Sequence, residues 1–169
     1  LQTGQRVLIH AGAGGVGHMS IQLAKWKGAH VTTTCSGGNT EFVRSLGADD
    51  IVDYNRTDFS EKVRDMDVVF HTIVPVERPR SYSTLKEGGF LASITGPITP
   101  EELEQHNVNG AFVTVRPNAE QMQNISGLLE SGKLKVNVDT TYSLSEVALA
   151  HEHVEGGHTR GKVVLDLKQ

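Results

Sequence analysis

The sequence contains little cysteine, few aromatic residues and no long apolar run. Cys35 is the only cysteine among the 169 residues, which excludes an intrachain disulfide and a zinc site built on several thiolates, and which favours a reducing compartment, the cytoplasm. No apolar run approaches the roughly 18 residues that cross a bilayer, and no secretory leader is visible. The 16 basic residues do not outnumber the 20 acidic ones, so we expect binding neither to nucleic acid nor to membranes.

The remaining composition is that of an ordinary globular domain. Hydrophobic residues make up 37% of the chain, and the 18 glycines bring the apolar fraction to the value usual for a chain that buries a core. The length also suits one domain, so we expect residues 1–169 to form a single unit.

Short apolar or β-branched runs alternate with helical patterns along the whole chain. We predict strands at 6–10, 30–34, 51–53, 67–71, 90–94, 110–115 and 162–167. Helices are predicted at 16–27, 39–46, 58–64 and 79–85 (the last closed by Gly88–Gly89), after Thr99, from Asn118 to Gly132 and from Ser143 to Gly156. Strands begin roughly every 16 to 24 residues, which leaves room for a crossover helix between them. The predicted fold class is therefore α/β, a doubly wound, mostly parallel six-stranded sheet in the order 3-2-1-4-5-6 with helices on both faces.

Three glycines stand in register where the first predicted strand passes into the first predicted helix. Gly12, Gly14 and Gly17 fit G-x-G-x-x-G in the strand-to-helix context that a dinucleotide site needs. We expect Gly12 to permit the tight turn, Gly14 to let a diphosphate approach the backbone, and Gly17 to let the helix close on the strand. Free amides from about Gly14 onward would then face the phosphates at the positive end of the helix dipole. The alternative, a turn that only permits close packing, explains Gly17 but not three glycines in register.

The end of the second predicted strand indicates which coenzyme is bound. A coenzyme site for NAD usually has Asp or Glu there to bind the ribose hydroxyls, whereas segment 33–39 contains no carboxylate. The hydroxyl of Ser36 and the amide of Asn39 suit a 2′-phosphate, which favours NADP(H). Both residues also suit a helix cap, and no Lys or Arg stands in the loop.

Several motifs together resemble one family. The stretches VLIHAGAGGVG, SLGADDIVDY and GHTRGKVVLDL, joined by LKEGGFLASI, are similar to the coenzyme domain of the medium-chain dehydrogenase/reductase superfamily. The most similar branch is that of the zinc-independent NADPH:quinone or enone oxidoreductases. The resemblance covers nearly the whole chain and implies a Rossmann sheet that binds NADP(H).

The resemblance also implies the coenzyme-binding residues. A diphosphate would lie on the loop 14–17, a 2′-phosphate near Ser36 and the adenosine ribose or its phosphate along Tyr54. The loops after the fourth and fifth strands would line the ribose and the nicotinamide. The full predicted set is Gly12, Gly14, Gly15, Val16, Gly17, Ser36, Asn39, Tyr54, Thr72, Ile73, Val74, Ile94 and Thr95.

The implied activity is hydride transfer from NADPH to a quinone or an enone. No general acid and no metal-ligand set can be assigned, so the residues of this chain would bind and orient the coenzyme. Family members are longer and carry a barrel-like N-terminal domain, which is absent from this chain, so we expect the chain alone to turn over negligibly. They often pair through an edge strand, here 110–115, as homodimers.

The sequence departs from the family pattern at two loops. The family often has Lys or Arg near Gly38, where this chain reads SGGN, so Arg44 or Arg160 would have to supply the charge. The loop after the fourth strand is commonly glycine-rich, but here 73–76 reads IVPV.

Other readings stay open. The same glycine loop suits a non-catalytic NAD(P)H sensor, or a methyltransferase using S-adenosylmethionine, although the latter usually has an acidic residue ending the second strand. The group 160–162 (RGK) suits phosphate contact or a salt-bridged strand start equally. His151 and His153 leave a helix in different directions, so we interpret them as a polar helix end, and Cys35 as a small residue that ends a strand.

Overall fold

The computed structural model of the chain describes residues 1–168, whose main feature is a six-stranded sheet in the order β3-β2-β1-β4-β5-β6. All five neighbouring pairs in it are parallel. This confirms the predicted α/β fold and its strand order. The strands are β1 (Arg6–Ile9), β2 (His30–Cys35), β3 (Asp50–Asp53), β4 (Met66–His71), β5 (Leu85–Ser93) and β6 (Asn109–Phe112).

Helices cover both faces of this sheet because successive side chains of β1 point in opposite directions. Val7 and Ile9 pack into a core with Ile21 and Val43 of the first two helices, whereas Leu8 belongs to the core on the other face. The helices are α1 (Gly17–Trp26), α2 (Thr40–Ser45), α3 (Phe59–Lys62), α4 (Arg78–Tyr82), α5 (Pro100–His106), α6 (Ala119–Glu130) and α7 (Val147–Glu155).

Capping residues set the starts of the later helices as predicted. The side chain of Thr99 accepts a hydrogen bond from the amide of Glu102, and that of Asn118 accepts one from the amide of Gln121. Ser143 and Glu146 form a reciprocal capping box, which opens a 3₁₀ turn that leads into α7.

The predicted role of Gly88–Gly89 is wrong. Helix α4 ends at Tyr82, and both glycines lie inside β5, which starts at Leu85 rather than near residue 90. The pairing with β4 shifts register between Met66 and Val68 at this point. A Cβ on Gly89 would lie 2.9 Å from the carbonyl oxygen of Lys86, so the irregular strand needs a glycine here.

A second, two-stranded sheet follows the main one. It pairs β7 (Val138–Ser143), which the sequence analysis did not predict, in parallel with β8 (Lys162–Asp166), with α7 as the crossover helix. The small sheet contacts the glycine loop through a hydrogen bond of 2.8 Å from the amide of Gly161 to the carbonyl of Ala13. The prediction that residues 1–169 form one dinucleotide-binding unit stays a prediction.

Among the helices formed by residues 1–168, none combines the length and the apolar character needed to cross a bilayer.

Candidate coenzyme site

The loops that follow β1 and β4 border the crevice where the order of the sheet reverses. In an open parallel sheet this crevice is the usual ligand site. The amide of His10 donates to the carbonyl of Phe70 (3.2 Å), and the hydroxyl of Thr72 donates to the carbonyl of His10 (2.8 Å). These two bonds fix the two loops relative to each other, so the hydroxyl of Thr72 is used in holding the site together.

The glycines of the first loop are needed for close packing. A Cβ on Gly17 would lie 2.2 Å from the carbonyl oxygen of Ala11 and 2.7 Å from Cα of Gly12, so only glycine lets α1 start this close to β1. A Cβ on Gly12 would lie 2.1 Å from Oγ1 of Thr33. Gly12 lies inside the tight turn that the hydrogen bond from Gly14 to Ala11 closes, while the left-handed backbone of this turn falls on Ala11 (φ 49°).

Most of the backbone amides at the start of α1 have no protein partner among residues 1–168. Gly14 is an exception to the prediction, since its amide closes the turn by donating to the carbonyl of Ala11 (3.0 Å). Within residues 1–168, the amides of Gly15, Val16 and Gly17 donate to no acceptor. Three neighbouring N–H groups at the positive end of α1 form a cradle for an anionic group.

The segment after β2 forms a chain of hydrogen bonds with a distant arginine. The side-chain nitrogen Nδ2 of Asn39 donates to the hydroxyl of Ser36 (3.1 Å), and the side-chain oxygen Oδ1 of Asn39 accepts from Nε of Arg160 (2.9 Å). Nη2 of Arg160 also donates to the carbonyl of Gly38 (3.2 Å). Two residues predicted to bind the coenzyme are therefore brought together with one of the two basic residues named for this loop.

The rival basic residue does not reach this loop. Nε of Arg44 lies 3.8 Å from a carboxylate oxygen of Glu41 on the same helix, α2. A carboxylate does approach the loop after β2. Oδ2 of Asp53 lies 2.6 Å from the position that a Cβ on Gly37 would occupy. The segment itself holds no carboxylate, as the sequence shows, but the fold supplies one from β3.

A cavity of about 300 Å³ opens beside the carboxyl ends of β1 and β2. Tyr54, which is about half exposed, and Ile73 both line it. The resemblance implies that Tyr54 lies along the adenosine ribose or its phosphate and Ile73 beside the ribose and the nicotinamide, and both assignments stay predictions. The sequence analysis missed the rest of the lining, which includes His10, Thr34, Phe59 and Arg80. His10 and Thr34 lie at or just after a strand end, whereas Phe59 and Arg80 belong to helices α3 and α4, and nothing in these residue types points to a ligand.

One wall of this cavity is fixed by charge. Arg80 pairs with Asp58 (2.6 Å) and with Glu77, and its guanidinium lies 4.9 Å from the ring centroid of Phe59. Hydrogen bonds from Ser60 and Arg80 lower the pKa of Asp58 to about 2. The carboxylate is therefore charged at neutral pH, and Arg80 is held in place at the cavity.

The remaining predicted residues lie outside this cavity lining. Val74 is exposed and precedes a 3₁₀ turn, and Ile94 follows β5 with its amide donating to the carbonyl of His71 (3.2 Å). The Thr95 amide donates to the hydroxyl of Ser93 (3.3 Å), and its own hydroxyl is buried without a partner among residues 1–168. Ile94 and Thr95 lie at the carboxyl end of β5, on the β4–β5 side of the crevice.

The other candidates have structural partners. Nε2 of His153 pairs with Asp139 (2.9 Å) and its Nδ1 bonds with the hydroxyl of Tyr142 (3.0 Å). Cys35 is buried at the end of β2, and burial raises the pKa of its thiol, which makes it a poor nucleophile.

Within residues 1–168, no three His, Cys, Asp or Glu side chains lie close enough to hold a metal ion, so this part of the chain does not fit zinc.

A family model described as zinc-binding dehydrogenase matches residues 46–165. Two curated relatives cover 96% of the chain. The 2-methylene-furan-3-one reductase of Solanum lycopersicum is 35% identical over 167 residues, and the NADPH-dependent alkenal/one oxidoreductase of Arabidopsis thaliana is 36% identical over 166 residues. The chain spans 40% of the length of each.

A solved structure shows the same fold over almost the whole chain. The quinone oxidoreductase from Coxiella burnetii superposes with a TM-score of 0.93 at 35% identity, covering 98% of this chain and 54% of that protein. The chain therefore spans about half, or less, of the proteins that it is similar to.

Proposed function

The chain belongs to the zinc-binding dehydrogenase family, and from that premise we propose that it binds NADP(H) as the coenzyme-binding part of a reductase that acts on a quinone or an enone. The single observation that carries the proposal is the row of unpartnered amides at Gly15, Val16 and Gly17. These groups offer a diphosphate three hydrogen bonds at the positive end of a ten-residue helix.

The adenosine end of the coenzyme would lie over β2. Ser36, Asn39 and Arg160 surround the place that a 2′-phosphate would take, and Tyr54 stands beside it at the mouth of the cavity. Gly12 and Gly17 would support coenzyme binding indirectly, because the first allows close packing against Thr33 and the second against Ala11. The chain's residues therefore bind and orient this end.

The nicotinamide end would lie toward β4 and β5. Thr72, Ile73, Val74, Ile94 and Thr95 follow the carboxyl ends of these strands, where the resemblance implies the ribose and nicotinamide sites. Bound NADPH supplies the hydride for the reduction. We assign no proton donor and no catalytic side chain to this chain, so we expect residues 1–169 alone to turn over negligibly.

The substrate class is supported by the names of the relatives. One relative is named a reductase of a furanone, another an alkenal/one oxidoreductase, and the structural neighbour a quinone oxidoreductase. Conjugated carbonyl compounds are common to these names. We propose that a barrel-like N-terminal domain of the kind found in the family, rather than residues 1–169, supplies most of the substrate pocket.

We also propose a homodimer that pairs through β6. This strand ends the sheet order, and Phe112 at its end and Val113 just after it are 44% and 43% exposed, as is typical of an edge that another chain covers.

For the location of the protein in the cell we propose the cytoplasm, because its single cysteine, Cys35, is free and buried. The alkenal/one oxidoreductase relative is named chloroplastic. The test is therefore whether a tagged form of the protein is imported into organelles.

The experiment that tests coenzyme binding is a titration of the chain with NADPH, NADH and S-adenosylmethionine. We expect NADPH to raise the midpoint of thermal unfolding most and to shift the amide resonances of Gly15, Val16 and Gly17. Stabilisation by S-adenosylmethionine alone would favour a methyltransferase. Coenzyme binding without turnover, even after the N-terminal domain is restored, would favour a sensor.

A further inference from the structure

A buried arginine lies beside the loop that follows β5. Arg78 is the first residue of α4, and only 5% of its surface is exposed. Its Nη1 donates to the carbonyl of Pro97 (2.7 Å), and its Nη2 donates to the carbonyl of Gly96 (3.4 Å). Residues 94–99, here called the β5 loop, are thus bonded through two successive carbonyls to a side chain of the helix that connects β4 to β5.

Little else holds the main chain in the middle of the β5 loop. Its first two amides bond to residues of β4 and β5, and at its end the hydroxyl of Thr99 caps α5. The side chain of Ile98 packs against the core. Within residues 1–168, however, residues 96–98 form no hydrogen bond other than those with Arg78. The path of the loop between its two ends therefore depends on this arginine.

The β5 loop fits closely against Arg78 at Gly96. This glycine has a φ of 149°, which side chains rarely permit. A Cβ there would lie 3.2 Å from Nη2 of Arg78 and 3.5 Å from Cγ of Pro75. Because Pro75 belongs to the loop after β4, Arg78 stands where the two loops at the proposed nicotinamide end meet. A displaced guanidinium would move one loop relative to the other.

Arg78 is itself fixed by a carboxylate from α5. Oε2 of Glu102 lies 3.0 Å from Nη1 of Arg78 and accepts a hydrogen bond from the hydroxyl of Tyr82 (3.1 Å). Arg78 and Tyr82 are four residues apart in α4, so both side chains reach the same carboxylate. Burial and the charge of Glu102 raise the pKa of Tyr82 to about 12, so its hydroxyl remains a donor at neutral pH.

Stability alone does not account for this arrangement. A buried ion pair contributes little more to folding than apolar side chains that fill the same space, because both charges lose their hydration. The planar guanidinium has another property, since its rigid fork of N–H groups fixes the geometry of the acceptors that it binds. In Arg78 that fork is directed at the main chain of a loop that borders the candidate site.

We propose that Arg78 is a positioning residue, which holds the β5 loop where Ile94 and Thr95 contact the nicotinamide end of the coenzyme. Arg78 itself does not touch the coenzyme. The proposal rests on the proposed function, because it requires a dinucleotide whose nicotinamide end lies toward β5. It follows that Arg78 contributes to the affinity for the nicotinamide half and not to that for the adenosine half, which we place over β2.

The test compares two ligands that share the adenosine half. NADPH and adenosine 2′,5′-bisphosphate, which lacks the nicotinamide and its ribose, are titrated calorimetrically into the full chain and its variants. Arg78→Gln is expected to weaken NADPH about 10-fold and to leave the bisphosphate within about 2-fold, because only NADPH needs the loop in place. Arg78→Lys keeps the charge but not the planar fork, so we expect it to recover only part of the loss.

Two further variants control for charge and for folding. Arg64, just after α3, is exposed and also donates to main-chain carbonyls, including that of Val63 (2.7 Å). Arg64→Gln is therefore the matched control, with no change expected for either ligand. Glu102→Gln weakens the ion pair that orients Arg78 at a partly exposed position, and it serves if Arg78→Gln does not fold. We expect it to weaken NADPH about 3-fold and the bisphosphate not at all.

The outcomes separate the positioning role from the proposed function. If the wild-type chain binds neither ligand, the proposed function fails and the role of Arg78 fails with it. If wild type binds both, but Arg78→Gln (or Glu102→Gln in its place) weakens the two equally or weakens neither, only the positioning role is overturned. Equal affinity of wild type for the two ligands also overturns it, because the nicotinamide half would then contribute nothing. A merely structural role weakens both ligands, so retained binding of the bisphosphate is the decisive observation.

Discussion

His10 and His71 share the hydroxyl of Ser81, which lies 3.0 Å from Nε2 of the first and 3.0 Å from Nδ1 of the second. The two imidazoles stand edge to face, with centroids 5.6 Å apart, and both are fully buried at the ends of β1 and β4. The hydroxyl of Thr34 also lies 3.3 Å from Nδ1 of His10. This buried network joins β1, β2, β4 and α4 directly beneath the candidate coenzyme cavity.

The network makes the stability of the fold depend on pH. Burial, with the positive charge of nearby groups, lowers the pKa of His10 to about 3, and burial also lowers the pKa of His71. The unfolded chain therefore binds more protons than the folded chain once the pH falls below about 6.5. Between pH 7 and pH 5 we expect His10 alone to remove about 2 kcal/mol from the free energy of unfolding.

Urea unfolding measured at intervals from pH 7 to pH 5 checks this prediction. His10→Asn is expected to flatten the dependence, whatever its effect on stability at pH 7, and His158→Asn, at an exposed position, is the control that leaves it unchanged. The chosen range lies above the ordinary pKa of carboxyl groups, so Asp and Glu contribute little. An identical slope in wild type and His10→Asn would contradict the prediction.

Alanine substitutions at Gly14 and Gly17 are expected to distinguish an effect on ligand binding from an effect on folding. A Cβ on Gly14 would meet the carbonyl oxygen of Ala11 at 3.3 Å, which a shift of a few tenths of an ångström relieves, whereas one on Gly17 would lie 2.2 Å from the same oxygen. We expect Gly14→Ala to leave the free energy of unfolding within about 1 kcal/mol of wild type, and Gly17→Ala to lower it by about 1 to 3 kcal/mol.

The Gly14→Ala variant, which hardly changes stability, is expected to lose much of its affinity for the coenzyme. The methyl group of Gly14→Ala would stand where a diphosphate approaches the amides, so we expect at least a tenfold loss of NADPH affinity in a variant that folds normally. Urea unfolding and NADPH titration of both variants provide the check. Retained affinity in Gly14→Ala would show that the diphosphate does not lie against this residue.

The sequence predicts those parts of the fold that depend on neighbouring residues. The strand-to-helix passage at Gly12–Gly17 is local, and so are the caps at Thr99, Asn118 and Ser143, which the structure confirms. Strand β7 was not predicted because Val138–Ser143 has neither an apolar run nor a clear alternation, since three polar residues (139–141) stand in a row. Its pairing with β8 depends on residues more than 20 positions apart.

The candidate site, too, has parts that the sequence predicts and parts that it does not. The glycine loop and Ser36 are recognisable from motif and position, because a phosphate needs backbone amides at a helix start. The family pattern limits the basic residue for this loop to Arg44 or Arg160, but the choice of Arg160, and the approach of Asp53 to Gly37, depend on how the loops come together. The turn at Ala11 shows a further limit, since a left-handed residue without glycine cannot be predicted from type alone.

The outer edge of β6 provides a test of the proposed homodimer. The amide of Val113 donates to the carbonyl of Ser93 on β5 (2.8 Å), so the amide of Phe112, one residue earlier, points away from β5 toward the open edge. Phe112→Pro removes that outward donor, and Phe112→Ala removes the side chain but keeps the donor. We expect the proline variant to weaken self-association at least tenfold more than the alanine variant does, because a proline at an edge blocks strand pairing. Sedimentation equilibrium over a range of protein concentrations measures this, with wild-type chain expected at twice the monomer mass. A wild-type monomer at every concentration, or equal association by the two variants, would mean that the chain does not pair through β6.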